Sequence, residues 1–232
     1  MLISLLQSFY SRKVVFLQRL LNKTKKMTYL DFREQWHGMG CFNVYQIRAW
    51  EPGFDRSNLT RWVKRGYLSK LRQDWYAFSD LKGTPGMARY IAQRIYTPSY
   101  ISLHYALSFY GIIPESVTDI TCVTSNRTAA YHNDFGRFSY QTVKPDLFFG
   151  FRQMPVSPQG SYLLAFPEKA ILDLLYLYPQ YNTAEAMLEL RFDEWWMREE
   201  LDKARLTAYA TQSGNKALQE RIQLLMKTYT DD

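Results

Sequence analysis

The segment Asp55-Arg-Ser-Asn-Leu-Thr-Arg-Trp-Val-Lys-Arg-Gly66, followed at once by Tyr67-Leu-Ser-Lys-Leu-Arg-Gln-Asp-Trp-Tyr-Ala-Phe78, constrains this chain more than any other. Asp55 suits a helix N-cap, because its carboxylate can accept the free N–H groups of a first turn. Gly66 suits a C-terminal stop, since glycine takes positive φ without strain. Between them Leu59, Trp62 and Val63 recur at i, i+3, i+4 and share a face that must be buried. The opposite face then holds Ser57, Asn58, Arg61, Lys64 and Arg65. The second half predicts two short strands, with Trp75, Tyr76 and Phe78 as core residues. Gln73-Asp74 is neither Asn-Gly nor Asp-Gly, so a loop longer than two residues is expected between them. A basic helix, a glycine stop and a basic hairpin, in that order, have the shape of a winged helix-turn-helix.

In such a module one helix enters the DNA major groove and the hairpin lies along the backbone. Arginine can bridge guanine O6 and N7, and asparagine adenine N6 and N7. Ser57, Asn58 and Arg61 are therefore expected near base edges. Arg56, Lys64 and Arg65, with Lys70 and Arg72 of the hairpin, are expected at phosphates. Asp74 at the hairpin tip would be repelled by phosphate, which argues for a modest contact there. Upstream, helices are expected over Tyr29–Trp36 and Phe42–Trp50, with a turn at Pro52-Gly53. The whole predicts a DNA-binding domain over residues 27–82.

Charge is distributed unevenly. Residues 1–30 hold six Lys or Arg and no acid, and residues 31–83 hold nine against six Asp or Glu. Residues 84–232 hold 14 against 16, so polyanion affinity is expected in the N-terminal third alone. Cys41 and Cys122 lie far apart, and no signal peptide is evident, which predicts a reduced, cytoplasmic setting. Residues 1–26 repeat Leu and Phe at helical spacing, but Arg12 and Lys13 interrupt any membrane-spanning run. This basic amphipathic extension could be a DNA-contacting arm, a membrane-surface helix, or an upstream addition before a start at Met27.

The best domain boundary is Lys82-Gly-Thr-Pro-Gly86. Beyond it, helices are expected over Met87–Ile95 and from the Ser102 cap through Phe109, with Tyr105, Ala106 and Phe109 in the core. Strands are expected over Asp119–Thr124, Phe138–Val143, Leu147–Phe151 and Ser161–Ala165. A helix over Glu168–Tyr178, opened by Pro167, should bury Ala170, Ile171, Leu174 and Leu175. Further helices are expected at about 183–190, 193–207 and 215–228. The expected fold class is α+β: the N-terminal module, an α+β domain over 83–180, and a helical segment over 181–232.

Four segments carry a family resemblance: Pro98-Ser-Tyr-Ile-Ser-Leu-His-Tyr-Ala-Leu-Ser-Phe-Tyr-Gly-Ile-Ile-Pro-Glu115, Phe135-Gly-Arg-Phe-Ser-Tyr140, Leu147-Phe-Phe-Gly150 and Ala165-Phe-Pro-Glu-Lys-Ala-Ile-Leu-Asp173. In this order, behind a winged helix, they resemble the AbiEi antitoxin family of type IV toxin–antitoxin systems. The resemblance runs from about residue 30 to 180. It implies an abortive-infection antitoxin that binds duplex operator DNA and represses its own operon. It also implies a domain that counters an AbiEii-like nucleotidyltransferase toxin without a stable complex. The family's hairpin often carries a basic-Gly turn, where this chain has Gln73-Asp74.

No metal-ligand motif, cysteine pair at metal spacing or glycine-rich phosphate loop is present in the sequence, and no cofactor or metal is expected. His37, His104 and His132 are scattered. Glu168, Lys169 and Asp173 form the one constellation that could hold a metal and activate water. Glu168 and Asp173 share no helical face, and Pro167-Glu168 suits a helix start, where a carboxylate complements the dipole. A non-enzymatic protein is therefore expected. The alternatives are an ordinary winged-helix regulator with a ligand-sensing or dimerisation domain, and a metal-dependent nuclease using Glu168 and Asp173. A membrane-associated regulator anchored by residues 1–26 is a further one.

Overall fold

The computed structural model of the chain describes residues 27–156 and 160–230; the amphipathic pattern of residues 1–26 lies outside them. Two compact units divide between Trp36 and His37. The first contains α1 (Tyr29–Trp36), with the bounds its spacing predicts. Thr28 donates its N–H and hydroxyl to Asp31 Oδ2 at 3.1 and 2.8 Å, and Asp31 N–H returns to Thr28 Oγ1. These reciprocal bonds satisfy donors that a helix start otherwise leaves open. Phe32 and Trp36, one turn apart, stack at 5.9 Å.

The second unit opens with β1 (Cys41–Asn43), α2 (Val44–Trp50), α3 (Ser57–Lys64), β2 (Leu68–Arg72) and β3 (Trp75–Phe78). The helix expected from Phe42 begins only at Val44. Cys41, Phe42 and Asn43 pair instead with Ala77, Tyr76 and Trp75 in an antiparallel sheet of order β1-β3-β2. Asn43 then caps α2: its Oδ1 accepts Gln46 N–H, and Gln46 Oε1 accepts Asn43 N–H, both at 2.9 Å. The hairpin loop is two residues, not longer. Asp74 takes φ 60°, a left-handed value that Asp tolerates better than most residues, and the register slips between Lys70 and Arg72.

After α4 (Met87–Ile95) comes a six-stranded sheet of order β6-β7-β5-β4-β9-β8. Its strands are β4 (Ser99–Ile101), β5 (Ile120–Thr124), β6 (Ala129–Asn133), β7 (Gly136–Thr142), β8 (Phe151–Val156) and β9 (Gly160–Ala165). β5 runs parallel to β7 and β4 to β9; the remaining pairs are antiparallel. Leu147–Phe151, expected as a strand, is a 3₁₀ turn over Pro145–Leu147 and a bend at Gly150, φ 75°, before β8 starts at Phe151. In α5 (Leu103–Phe109) the buried face is Leu103, Ala106 and Leu107, whereas Phe109, expected in the core, is 41% exposed.

α6 (Pro167–Leu177) starts at its proline and buries Ala170, Ile171, Leu174 and Leu175 completely. α7 (Ala184–Leu188), a π-helical turn (Trp196–Glu200), α8 (Lys203–Gln212) and α9 (Lys216–Thr230) follow. The helix expected over 193–207 breaks at Leu201-Asp202, where the Asp202 carboxylate accepts Arg205 N–H at 2.8 Å and caps α8. The architecture is thus mixed α+β with a helical C-terminal end. Among the described residues no helix is long and apolar enough to cross a membrane.

Packing in the second unit continues across Lys82–Gly86. Ser69 Oγ donates to Asp134 Oδ2 at 2.7 Å, and Lys82 Nζ pairs with the same oxygen at 2.9 Å. Asn133 Nδ2 donates to Leu71 O at 3.1 Å, and Tyr90 OH to Met39 O at 3.2 Å. The β2–β3 hairpin is therefore seated against β6.

Candidate nucleic-acid interface

α3 is built as its sequence dictates at both ends. Asp55 Oδ1 accepts Ser57 N–H at 2.9 Å, and Oδ2 accepts Ser57 Oγ at 2.6 Å, so Asp55 caps the first turn. At the other end Gly66 takes φ 73°. Its N–H reaches Val63 O and Tyr67 N–H reaches Trp62 O, both at 2.9 Å, closing the last carbonyls. Leu59 and Trp62 form the buried back of the helix, with Phe54 6.0 Å from the Trp62 ring.

The front of α3 exposes Ser57, Arg61, Lys64 and Arg65, and β2 adds exposed Lys70. Arg61 is braced along the helix, donating to Asn58 Oδ1 at 3.0 Å and to Ser57 Oγ at 3.4 Å. Among the described residues Arg61, Lys64, Arg65 and Lys70 have no carboxylate ion pair. Many cations beyond the hairpin do: Arg137 with Asp119, Arg191 with Glu115, Arg198 with Glu194, and Arg205 with Glu168 and Asp202.

Three expected site residues are placed differently. Asn58 is only 3% exposed: it flanks Leu59 on the inner side of α3, and its carbonyl is taken by Arg61. Arg56 is turned to the hairpin, where its guanidinium pairs with the Asp74 carboxylate. Asp74 is thereby neutralised rather than presented at a free tip, and its carbonyl accepts Val44 N–H at 3.0 Å. Arg72 lies over the Tyr131 ring, 5.4 Å from its centroid, and donates to Tyr131 OH at 3.2 Å. It is a packing cation between β2 and β6. On α2, Tyr45 (70% exposed) and Arg48 occupy one outward face at i, i+3. Neither is among the expected site residues, although Val44 and Ile47 inside fix Tyr45 and Arg48 outside by the same periodicity.

The Glu168–Lys169–Asp173 constellation is interior. Lys169 and Asp173, one helical turn apart, form an ion pair with both side chains fully buried. Asp173 Oδ2 also accepts Tyr100 OH at 2.9 Å and Ser102 Oγ at 2.7 Å. The Lys169 ammonium sits over the rings of Phe149 and Tyr100, at 5.0 and 5.4 Å. Burial pushes the Asp173 carboxyl up and the Lys169 ammonium down, and mutual attraction opposes both shifts. Gly150 makes room for the lysine: a Cβ there would lie 2.9 Å from Lys169 Cγ. Glu168, 2% exposed, accepts Asp202 N–H and Arg205 Nη1, both at 3.3 Å. Its role is to fasten the start of α8 to α6.

The remaining titratable groups do not converge. His104 is half-buried against Tyr178, and desolvation lowers its pKa. Both cysteines are buried and unpaired, and burial raises the Cys41 thiol to about 12. Among the described residues no three His, Cys, Asp or Glu side chains gather where a metal could be held. Protein-family models and curated proteins yield no match to this chain.

Proposed function

We propose that this chain is a duplex-DNA-binding regulator of the winged helix-turn-helix type, with α3 as recognition helix and β2–β3 as wing. The observation that carries the proposal is the set Arg61, Lys64, Arg65 and Lys70, without a carboxylate ion pair among the described residues and held out on a helix and strand whose other faces are buried. A cationic ridge without internal carboxylate partners has its charge available for phosphates. Arg61, braced by Asn58 and Ser57, supplies base contact, with Ser57 beside it. Asn58 acts through Arg61 rather than on a base. Lys64, Arg65 and Lys70 contact the backbone. Arg56 and Arg72 position the hairpin.

The resemblance to AbiEi antitoxins extends the proposal. The chain represses its own operon and counters an AbiEii-like nucleotidyltransferase in a type IV system, without a stable complex. It is read as non-enzymatic and cytoplasmic. Burial of Glu168 and Asp173, each already occupied by cations, speaks against the nuclease alternative. Gel shifts with DNA from upstream of its own operon test the core of the proposal. Wild-type chain should prefer that DNA to a scrambled duplex. Arg61→Ala should erase the preference, whereas Lys64→Ala should weaken both duplexes alike. Equal affinity of wild type for both DNAs refutes it. Co-expression with the neighbouring gene product tests the antitoxin part separately: absence of growth rescue removes that part alone.

A further inference from the structure

A second cationic feature lies away from α3 in the sequence and is built differently. Arg89 of α4 is sandwiched between Phe109 and Tyr162, 5.5 and 5.4 Å from their centroids. Phe109 meets Tyr110 edge-on at 5.4 Å. Arg152 of the edge strand β8 lies over Tyr110 at 5.9 Å and over Phe166 at 5.6 Å, and Arg205 of α8 takes Phe166 at 5.2 Å. Rings and guanidinium groups thus follow one another from β9 and α4, through the Phe109–Tyr110 ring pair at the end of α5, to β8 and α8. Such pairs occur about once per 70–80 residues in proteins generally; five share this one strip.

Two properties set the strip apart from ordinary packing. Its charge is not balanced. Glu168 and Asp202 both serve Arg205, while Arg89 and Arg152 have no carboxylate ion pair among the described residues. It is also open: Arg152 is exposed, and Phe109 is 41% exposed although it is among the larger apolar side chains of the unit. Guanidinium planes clamped between rings are fixed in orientation, so their N–H edges are preorganised donors for phosphate oxygens. An exposed ring between them offers a stacking face for an unpaired base. Duplex DNA would satisfy the cations but not the ring, because its base faces are covered. The acidic side chains of a peptide would meet the cations but carry no aromatic face to stack on the ring.

We propose that the Arg89–Phe109–Arg152 strip is a binding surface for single-stranded polynucleotide, separate from the duplex-binding face of α3. Bases stack on Phe109, and phosphates take the edges of Arg89 and Arg152. Recognition is tolerant of sequence, since every base has a π-face.

The test uses the full chain and fluorescein-labelled oligouridine and oligothymidine of about twelve nucleotides, a length within the usual site size, read by anisotropy. Phe109→Ala and Arg152→Gln should each weaken single-strand binding roughly tenfold, with duplex gel shifts unchanged. Arg152→Lys, which keeps charge but loses the plane, should lie between wild type and Arg152→Gln. The double variant Lys64→Gln/Arg65→Gln should bind single strands like wild type. Near-ultraviolet circular dichroism confirms that the variants are folded. Three results would overturn the proposal: no binding by wild type to either strand, loss of single-strand binding in the α3 variant, or displacement by polyglutamate as effective as by unlabelled strand. Tighter binding of oligouridine would identify RNA as the ligand, and equal binding would mark a general single-strand surface; both support the proposal.

Discussion

Salt dependence gives the sharpest check on the α3 surface. Of the six cations of the 55–78 segment weighed for phosphate contact or base reading, Arg56 is bound to Asp74 and Arg72 is stacked on Tyr131. Four remain exposed and, among the described residues, without a carboxylate ion pair: Arg61, Lys64, Arg65 and Lys70. With Arg61 at a base edge, Lys64, Arg65 and Lys70 neutralise three phosphates; each contributes about 0.9 to the slope of log K against log salt on B-DNA, so the expected slope is about −2.7 per bound chain. Five contacts, the number the sequence alone favours, would give about −4.5. Between about 50 and 200 mM salt the smaller slope weakens binding about fortyfold. Lys64→Gln/Arg65→Gln removes two counterion-releasing contacts and should flatten the slope to about −0.9. Anisotropy titrations of a labelled duplex at several salt concentrations measure both slopes. A wild-type slope shallower than about −1.5, or a double variant that keeps the wild-type slope, refutes the assignment of Lys64, Arg65 and Lys70 to phosphates.

Other outcomes follow from the same contacts. Asp74→Asn keeps the left-handed turn but frees Arg56, so duplex binding should tighten and the slope steepen by about 0.9, at a stability cost under about 1 kcal/mol for an exposed pair; unchanged titrations would show that Arg56 stays idle. Asp173→Ala strands a buried ammonium and two hydroxyls, and should lower unfolding stability in urea by about 3–5 kcal/mol, whereas Lys169→Met/Asp173→Leu should lose much less. Similar losses in the two would mean that volume, not charge, governs the site. His104 has its pKa lowered from 6.5 by burial, so the unfolded chain binds the extra proton. Its contribution is fully present above pH 6.5 and is lost as pH falls below that value. Thermal melts at neutral and mildly acidic pH should therefore differ less in His104→Gln than in wild type, and an equal acid loss would count against it.

What could be read without coordinates was local. α1 and α3 follow from spacing and end signals a few residues apart, and the Pro167 start of α6 likewise. β1 escaped because three residues carry little pattern and its partner β3 lies some thirty positions downstream. β4 is equally short and wholly buried, without alternation to betray it. β6, Ala-Ala-Tyr-His-Asn, has weak strand propensity and is held by pairing with β7. Arg72 is the instructive error in the site. Its hairpin position suggests an outward cation, and only the non-local approach of Tyr131 turns it into packing. The Lys169–Asp173 ion pair is legible as i, i+4, whereas the two carboxylates Glu168 and Asp173 share no helical face and do not act together.

The seating of the hairpin on β6 bears on any dissection of this chain by truncation. Cutting after Lys82 would take from β2 the carboxylate that receives Ser69, the amide that covers Leu71 O, and the aromatic plane beneath Arg72, all in one stroke. Such a fragment would lose duplex affinity through a loosened β2, with every cation of α3 still in place. A negative result from it would report on the missing buttress, not on the role proposed for α3.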